Sequence, residues 1–274
     1  MKPNNSIILS EYLNYFFHSN TGKISINTRI KGAAQPCLFL NDLKDIDIFV
    51  PDLQKQHHIV NTIGSVDDLI EKNNELIKKI KNFRKLYFSN FSKICDRSDE
   101  ILNHIKFKNG SQPPKKFHTY ENKNGYIRFI QNRDYSNDNN LTYIPISNKN
   151  SICEKTDIMI DKYGEAGKIR YGLNGAYNVA LAKIIPYNKY EKEFIRDFLT
   201  QENLEKLLFS SSKASTRSSL NETCFKGIKF PILNEYQLKK YEFLMHNLLI
   251  IELKIQEKNK KLIIIKQNLL EKYF

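Results

Sequence analysis

Apolar residues recur three and four apart along two long stretches of the chain. In the first, Ile59, Ile63, Val66, Leu69, Ile70, Leu76, Ile77, Ile80, Phe83 and Tyr87 keep that spacing, with Lys, Glu and Asn between them. A period near 3.6 is one face of a helix, and no proline interrupts residues 54–91. Ser65, followed by Asp67-Asp68, reads as an N-cap with acidic first-turn residues, so a helix is expected over about 65–91. In the second stretch, Tyr241, Leu244, Leu248, Ile251, Ile255, Leu262, Ile265 and Leu269 predict a helix over 238–273. Such stripes, sustained for several heptads, need a partner helix to bury them. The two are expected to pack antiparallel, because the chain must return between them.

Residues 101–232, which lie between, read as mixed α/β. Tyr126–Ile130 and Asp157–Asp161 alternate like strands, and residues 179–185, stopped by Pro186, suit a buried strand. Residues 191–208 are periodic and helical, while 109–114 and 136–140 are loops.

The pattern also repeats. A helical Tyr12-Leu-Asn-Tyr-Phe-Phe and a polar loop precede Leu43-Lys-Asp-Ile-Asp-Ile, Pro51, Gln56 and the first long helix. Phe194-Ile-Arg-Asp-Phe-Leu and a Ser/Thr-rich loop precede Phe225-Lys-Gly-Ile-Lys-Phe, Pro231, Gln237 and the second. Leu43 and Phe225 stand 182 apart, as do Ile46 and Ile228. One module therefore occurs twice, and its first copy lacks the strands expected before it.

Charge narrows the partners. The net charge of the 274 residues is +13, and its distribution is uneven. Residues 1–53 are neutral, 54–100 carry +2, 101–232 carry +8 and 233–274 carry +3. A basic folded segment suits a polyanion, since each cation near a phosphate releases a counterion; ordinary solubility charge would look the same. No apolar run reaches the ~18 residues of a membrane span, and Ile7-Ile8-Leu9 is too brief for a secretory signal, so the expected compartment is the cytoplasm. Cys37, Cys95, Cys153 and Cys224 form no C-x-x-C pair and read as reduced thiols.

Catalytic chemistry finds little support. Gly164-x-x-Gly167-Lys168 lacks the Gly at 162 and Ser/Thr at 169 of a P-loop, and reads as a tight turn between strands. Pro113-Pro114 is a loop rather than an Asn-Pro-Pro-Tyr methyltransferase signature. His57 and His58 are adjacent and point apart on a helix, which suits surface rather than metal. No cofactor box is suggested. Small hydroxyls from Ser211 to Ser219 flank Lys213 and Arg217, and these suit either phosphate contacts or a surface loop. Gln131, Asn132 and Arg133 end a strand with groups able to read base edges.

These elements, in this order, resemble the specificity (S) subunit of type I restriction-modification systems. Ile105-Lys-Phe-Lys-Asn-Gly110 looks like the opening strand of a target-recognition domain, and Tyr126-Ile-Arg-Phe-Ile-Gln-Asn like a later strand. Asp157-Ile-Met-Ile with Gly164-Glu-Ala-Gly-Lys168 looks like a strand and turn of that domain, and Tyr177-Asn-Val-Ala-Leu like the next strand. Lys213-Ala-Ser-Thr-Arg-Ser-Ser-Leu-Asn resembles a loop of the family that recurs as Gly32-Ala-Ala-Gln-Pro-Cys-Leu.

The resemblance implies a mixed-sheet recognition domain plus two long helices forming an antiparallel coiled coil. It divides the chain into a remnant of a first recognition domain (1–53), a central long helix (54–100), a complete recognition domain (101–232) and a C-terminal long helix (233–274). The resemblance implies a non-catalytic subunit that needs no cofactor or metal and directs methyltransferase and restriction subunits to double-stranded DNA. Gln131, Asn132, Arg133, Lys162, Lys168, Arg170, Lys213, Ser215, Thr216 and Arg217 are the expected DNA-contacting residues. A truncated first domain implies self-association or a second S-type chain. The competing readings are a coiled-coil structural or regulatory protein with a basic module, a non-functional remnant of such a subunit, and an enzyme acting on a phosphorylated small molecule.

Overall fold

A computed structural model describes residues 3–32, 36–213 and 219–274. In chain order the helices are α1 (Ser10–His18), α2 (Asn20–Asn27), α3 (Leu40–Lys44), α4 (Leu53–Lys93), α5 (Lys192–Leu199), α6 (Glu202–Lys213) and α7 (Glu235–Tyr273). The strands are β1 (Ser98–Glu100), β2 (Ile105–Asn109), β3 (Tyr126–Ile130), β4 (Tyr143–Pro145), β5 (Ile152–Cys153), β6 (Ile158–Asp161), β7 (Ile169–Arg170), β8 (Gly175–Tyr177), β9 (Leu181–Pro186) and β10 (Lys229–Pro231). The expected mixed α/β class with two long helices is borne out. The chain divides into two compact units, residues 1–78 with 254–274, and residues 79–253.

In the first unit, Tyr12, Tyr15, Ile59, Ile63 and Leu270 form the core. The α4 and α7 segments run antiparallel. Lys266 Nζ donates to Asp67 Oδ1 at 2.6 Å, and Asn259 bonds both Asn73 and Asn74. The helix does not start at Ser65, whose hydroxyl donates to the Thr62 carbonyl inside an unbroken α4. Asp52 is the N-cap instead, accepting from Lys55 N at 2.7 Å. A mid-helix glycine such as Gly64 costs only ~1 kcal/mol, and burial of Ile59 and Ile63 in the turns just before it outweighs that cost. Gln56, also buried, accepts from Leu9 N and donates to the Ile7 and Pro51 carbonyls, which fastens the N-terminal segment to the helix.

In the second unit two four-stranded sheets stack, ordered β2-β9-β6-β7 and β4-β3-β8-β5, with β1 and β10 paired separately. All pairings are antiparallel except β3 with β8. Alternation assigns the faces of the first sheet. Ile105, Ile158, Ile160, Ala182 and Ile184 point into a core shared with Phe194, Ile195 and Phe225, whereas Met159 and Leu181 meet Ile130, Cys153 and Tyr177 of the second sheet. The expected strand at 179–185 begins two residues later, after a turn in which Leu181 N bonds Asn178 O. The expected single helix over 191–208 is two helices. Thr200 Oγ1 and Gln201 Nε2 both bond Asp197 O and close α5 there.

The α4 and α7 segments are antiparallel in this unit too. A buried ion network holds them to α5: Arg84 donates to Glu193 Oε2 (2.8 Å), Asp197 Oδ1 (2.9 Å) and the Met245 carbonyl (2.6 Å). Tyr241 Oη donates to Asp197 Oδ2, and Arg196 to Glu193.

Candidate nucleic-acid interface

At one end of the stacked sheets, five chain segments are tied by backbone hydrogen bonds. Gly110 N bonds Leu181 O and Ser111 N bonds Tyr177 O, joining the end of β2 to the β8–β9 turn. Asn178 N bonds Ile130 O, Lys162 N bonds Ala180 O and Leu220 N bonds Lys162 O. These bonds bring together residues 109–111, 130–133, 161–168, 177–181 and 220. Gly110 is required by this convergence, because a Cβ there would lie 1.8 Å from Asn178 O. Gly167, at φ 95°, folds the β6–β7 turn against Leu208 in a conformation side chains disfavour.

The structure gathers most of the sequence-predicted residues at this end. Gln131 follows β3, and its Nε2 reaches Thr142 Oγ1 at 3.4 Å. Asn132 donates from Nδ2 to the Tyr163 carbonyl at 3.2 Å, while its Oδ1 is buried without a partner. Arg133 is the open cation of the group, its side chain 53% exposed and no closer than 3.8 Å to Asp134. Lys162 donates to Asn109 Oδ1 at 2.9 Å on the rim of an open cleft of about 300 Å³, floored by Phe107, Ile160 and Phe225.

Lys168 and Arg170 differ from the sequence expectation in their surroundings. Lys168 Nζ pairs with Glu165 at 2.5 Å, and Arg170 spans Asp161 (2.9 Å) and Glu165 (2.5 Å). Burial pushes the Asp161 carboxyl up to about 6, against the opposing pull of Arg170. Arg170 also lies 5.7 Å from the centre of the Tyr135 ring. Lys213 closes α6, its ammonium 4.3 Å from the Phe209 ring centre. Ser215, Thr216 and Arg217 lie outside the described residues.

Sequence reasoning missed three groups here. Tyr163 stands exposed before Gly164 in a turn whose glycines and cations alone drew attention, Val179 is exposed on the adjoining turn, and Asn109 orients Lys162. An aromatic in a turn was the available signal for the first; the others became visible only when distant segments met.

A metal is poorly served by the side chains present. Donor atoms of Glu193, Glu242 and His246 lie within 4.8 Å of one another. The Glu193 carboxylate, however, is held by Arg84 and Arg196, so a cation would face two guanidinium groups. His57 and His58 are both exposed. Among the described residues no helix is long and apolar enough to cross a membrane.

Comparison with known proteins agrees with this architecture. Residues 1–82 match the family model described as "Type I restriction modification DNA specificity domain". No curated protein matches. Among solved structures, the type I restriction-modification system S subunit from M. genitalium is similar at 18% identity, over 99% of this chain and 74% of that one, with a TM-score of 0.66. An HsdS subunit from Thermoanaerobacter tengcongensis is similar at 14% identity over 99% and 71%, with a TM-score of 0.43. Of the two, the M. genitalium subunit identifies the fold. The resemblance read from the sequence is borne out by the family match in residues 1–82 and by the S-subunit fold over nearly the whole chain.

Proposed function

We propose that this chain is the DNA sequence-recognition subunit of a type I restriction-modification complex. It would do no chemistry itself and would bring a methyltransferase subunit, and through it a restriction subunit, to a target site in cytoplasmic DNA. Residues 101–232 act as the recognition domain, the long helices over 54–100 and 233–274 as spacer and scaffold, and residues 1–53 as part of a further recognition domain. The observation that carries this reading is the convergence of five segments on one end of the most basic part of the chain, with Arg133, Lys162 and Asn132 at that end.

The chemistry fits the two tasks of a DNA reader. Cations near phosphates give affinity without sequence, while amide and guanidinium groups at base edges give sequence. Arg133 and Lys162 are assigned to phosphates or to guanine, and Gln131 to base edges, with Asn132 holding the turn beside them. Lys213, with Ser215, Thr216 and Arg217 beyond it, is assigned to the sugar–phosphate backbone. Lys168 and Arg170 belong to the same end. The test is an electrophoretic shift in moderate salt with and without the cognate methyltransferase subunit. A salt-dependent shift that strengthens with the partner is expected. The absence of any shift at low salt with the partner present would sink the reading.

A further inference from the structure

We propose that Tyr163 reads a base at the converging end, and that the Asp161–Arg170–Glu165–Lys168 ion cluster is the frame that holds it there rather than a set of phosphate contacts. The proposal rests on the DNA-recognition reading and divides the labour within it.

The frame follows from the pairing geometry. A cation that neutralises a phosphate must be free to leave its protein partner. Arg170 is not free, since its side chain is 12% exposed and its guanidinium is shared between Asp161 and Glu165. Lys168 is engaged by the same Glu165. Both cations therefore converge on one carboxylate in the middle of the β6–β7 turn, and Arg170 ties that carboxylate to the end of β6. The turn is fixed at four more points: Gly167 N bonds Asp161 O, Lys168 N bonds Glu165 O, Lys162 N bonds Ala180 O and Leu220 N bonds Lys162 O. Such a turn holds its outward residue in one place.

That residue is Tyr163, 43% exposed, whose carbonyl is gripped by Asn132 Nδ2. Val179 is exposed on the turn that Lys162 N joins. An exposed aromatic on a pinned backbone spends little ordering entropy when a base comes against it. Beside it, Asn132 Oδ1 is closed off from solvent, so the Asn132 amide serves to hold the Tyr163 backbone rather than to face a base. An exposed aromatic, an exposed Val179 on the adjoining turn and the open guanidinium of Arg133 make a base-reading set; the paired cations behind them do not.

The test uses the full chain with its methyltransferase subunit. Sequencing of methylated plasmid DNA gives the wild-type site, and binding to that site and to random DNA is then followed against salt. Tyr163→Ala should relax one position of the site and lose about tenfold or more in site affinity, with binding to random DNA and its salt slope unchanged. Glu165→Gln separates the two roles of the cluster by sign. If it is a frame, removing the exposed carboxylate loosens the turn and lowers discrimination between site and random DNA. If Lys168 and Arg170 instead meet phosphates, releasing them from Glu165 strengthens binding to every sequence, and the proposal is overturned. It is equally overturned if Tyr163→Ala methylates the same site with unchanged affinity. A wild-type complex that binds no DNA at low salt would instead bring down the DNA reading on which the proposal stands.

Discussion

Arg84 shows how much of this protein's stability rests on single buried charges. It is 6% exposed and satisfies two carboxylates and a carbonyl. Arg84→Ala would leave Glu193 and Asp197 buried beside a void, and removing one partner of a buried pair costs about 3–5 kcal/mol. Urea unfolding should register a loss of that size, and a loss below about 1 kcal/mol would mean that the network relaxes into water. The network also sets a pH dependence. Burial opposes the charge of Glu193, but Arg196, His246 and Arg84 hold its carboxyl well below its usual 4.5. Its contribution is present above pH 4.5 and is lost as the pH falls towards the folded-state value. Asp161 has the opposite sign. Raised by burial from 3.8 to about 6, it favours the fold below 3.8, and that share is lost as the pH rises through 6. Unfolding from pH 7 downward should therefore show Glu193→Gln less acid-sensitive than wild type below pH 4.5, and Asp161→Asn with a flatter profile between 4 and 6.

At the scale of elements, the long helices separate what periodicity can tell from what it cannot. The stripe read from sequence mixed two faces. In α4 the buried line runs through Gln56, Ile59, Ile63, Val66, Ile80, Arg84 and Phe88, whereas Leu69, Leu76 and Phe83, seven residues apart, are about 45% exposed. In α7 the buried line includes Tyr241, Met245, Glu252, Asn259 and Leu262, and Ile265 is exposed. Polar members of the inner line, Gln56, Arg84, Glu252 and Asn259, were invisible to an apolar count because their partners come from elsewhere in the chain. Helix existence and the strands β3, β6 and β9 were legible because they follow from local spacing, whereas the short strands β1, β4, β5, β7 and β10 were not. Helix starts were not, since Asp52 and Ser65 are equally good caps in isolation and burial of Ile59 and Ile63 decides between them. The same limit applied to the candidate interface, where Gln131–Arg133 could be read from a strand end but the pairing of Arg170 with Asp161 and Glu165 could not. The corrected faces yield a test by contrast. Ile63→Asp buries an unpaired charge and should abolish cooperative unfolding, whereas Ile265→Asp, on an exposed position, should change stability by less than about 1 kcal/mol. Equal effects at both positions would show the inner line to be misassigned.

For the whole molecule, the two copies of the repeated module end differently, and the difference predicts association. The copies agree down to their caps. Asn234 accepts from Gln237 N as Asp52 accepts from Lys55 N, and each pair of positions is 182 residues apart. In the second copy, Phe230 is buried at the centre of β10, which pairs with β1, and rings of His104, Phe194 and Phe198 surround it. In the first copy the corresponding residues 46–50 belong to no strand among the described residues. Phe49 is 76% exposed there, and Phe39, Leu40 and Val50 are exposed as well. Several large apolar side chains exposed within one short stretch are a candidate contact surface. We expect the purified chain to self-associate at micromolar concentration under reducing conditions, or to form a stoichiometric complex with a second S-type chain. Phe49→Asp should return it to monomer while leaving its circular dichroism and thermal unfolding unchanged, since Phe49 lies outside the core of its unit. Sedimentation velocity of the two proteins decides the matter. A wild-type chain that stays monomeric, and that with its methyltransferase subunit alone methylates a two-part site, would show that this surface has no second recognition chain to receive.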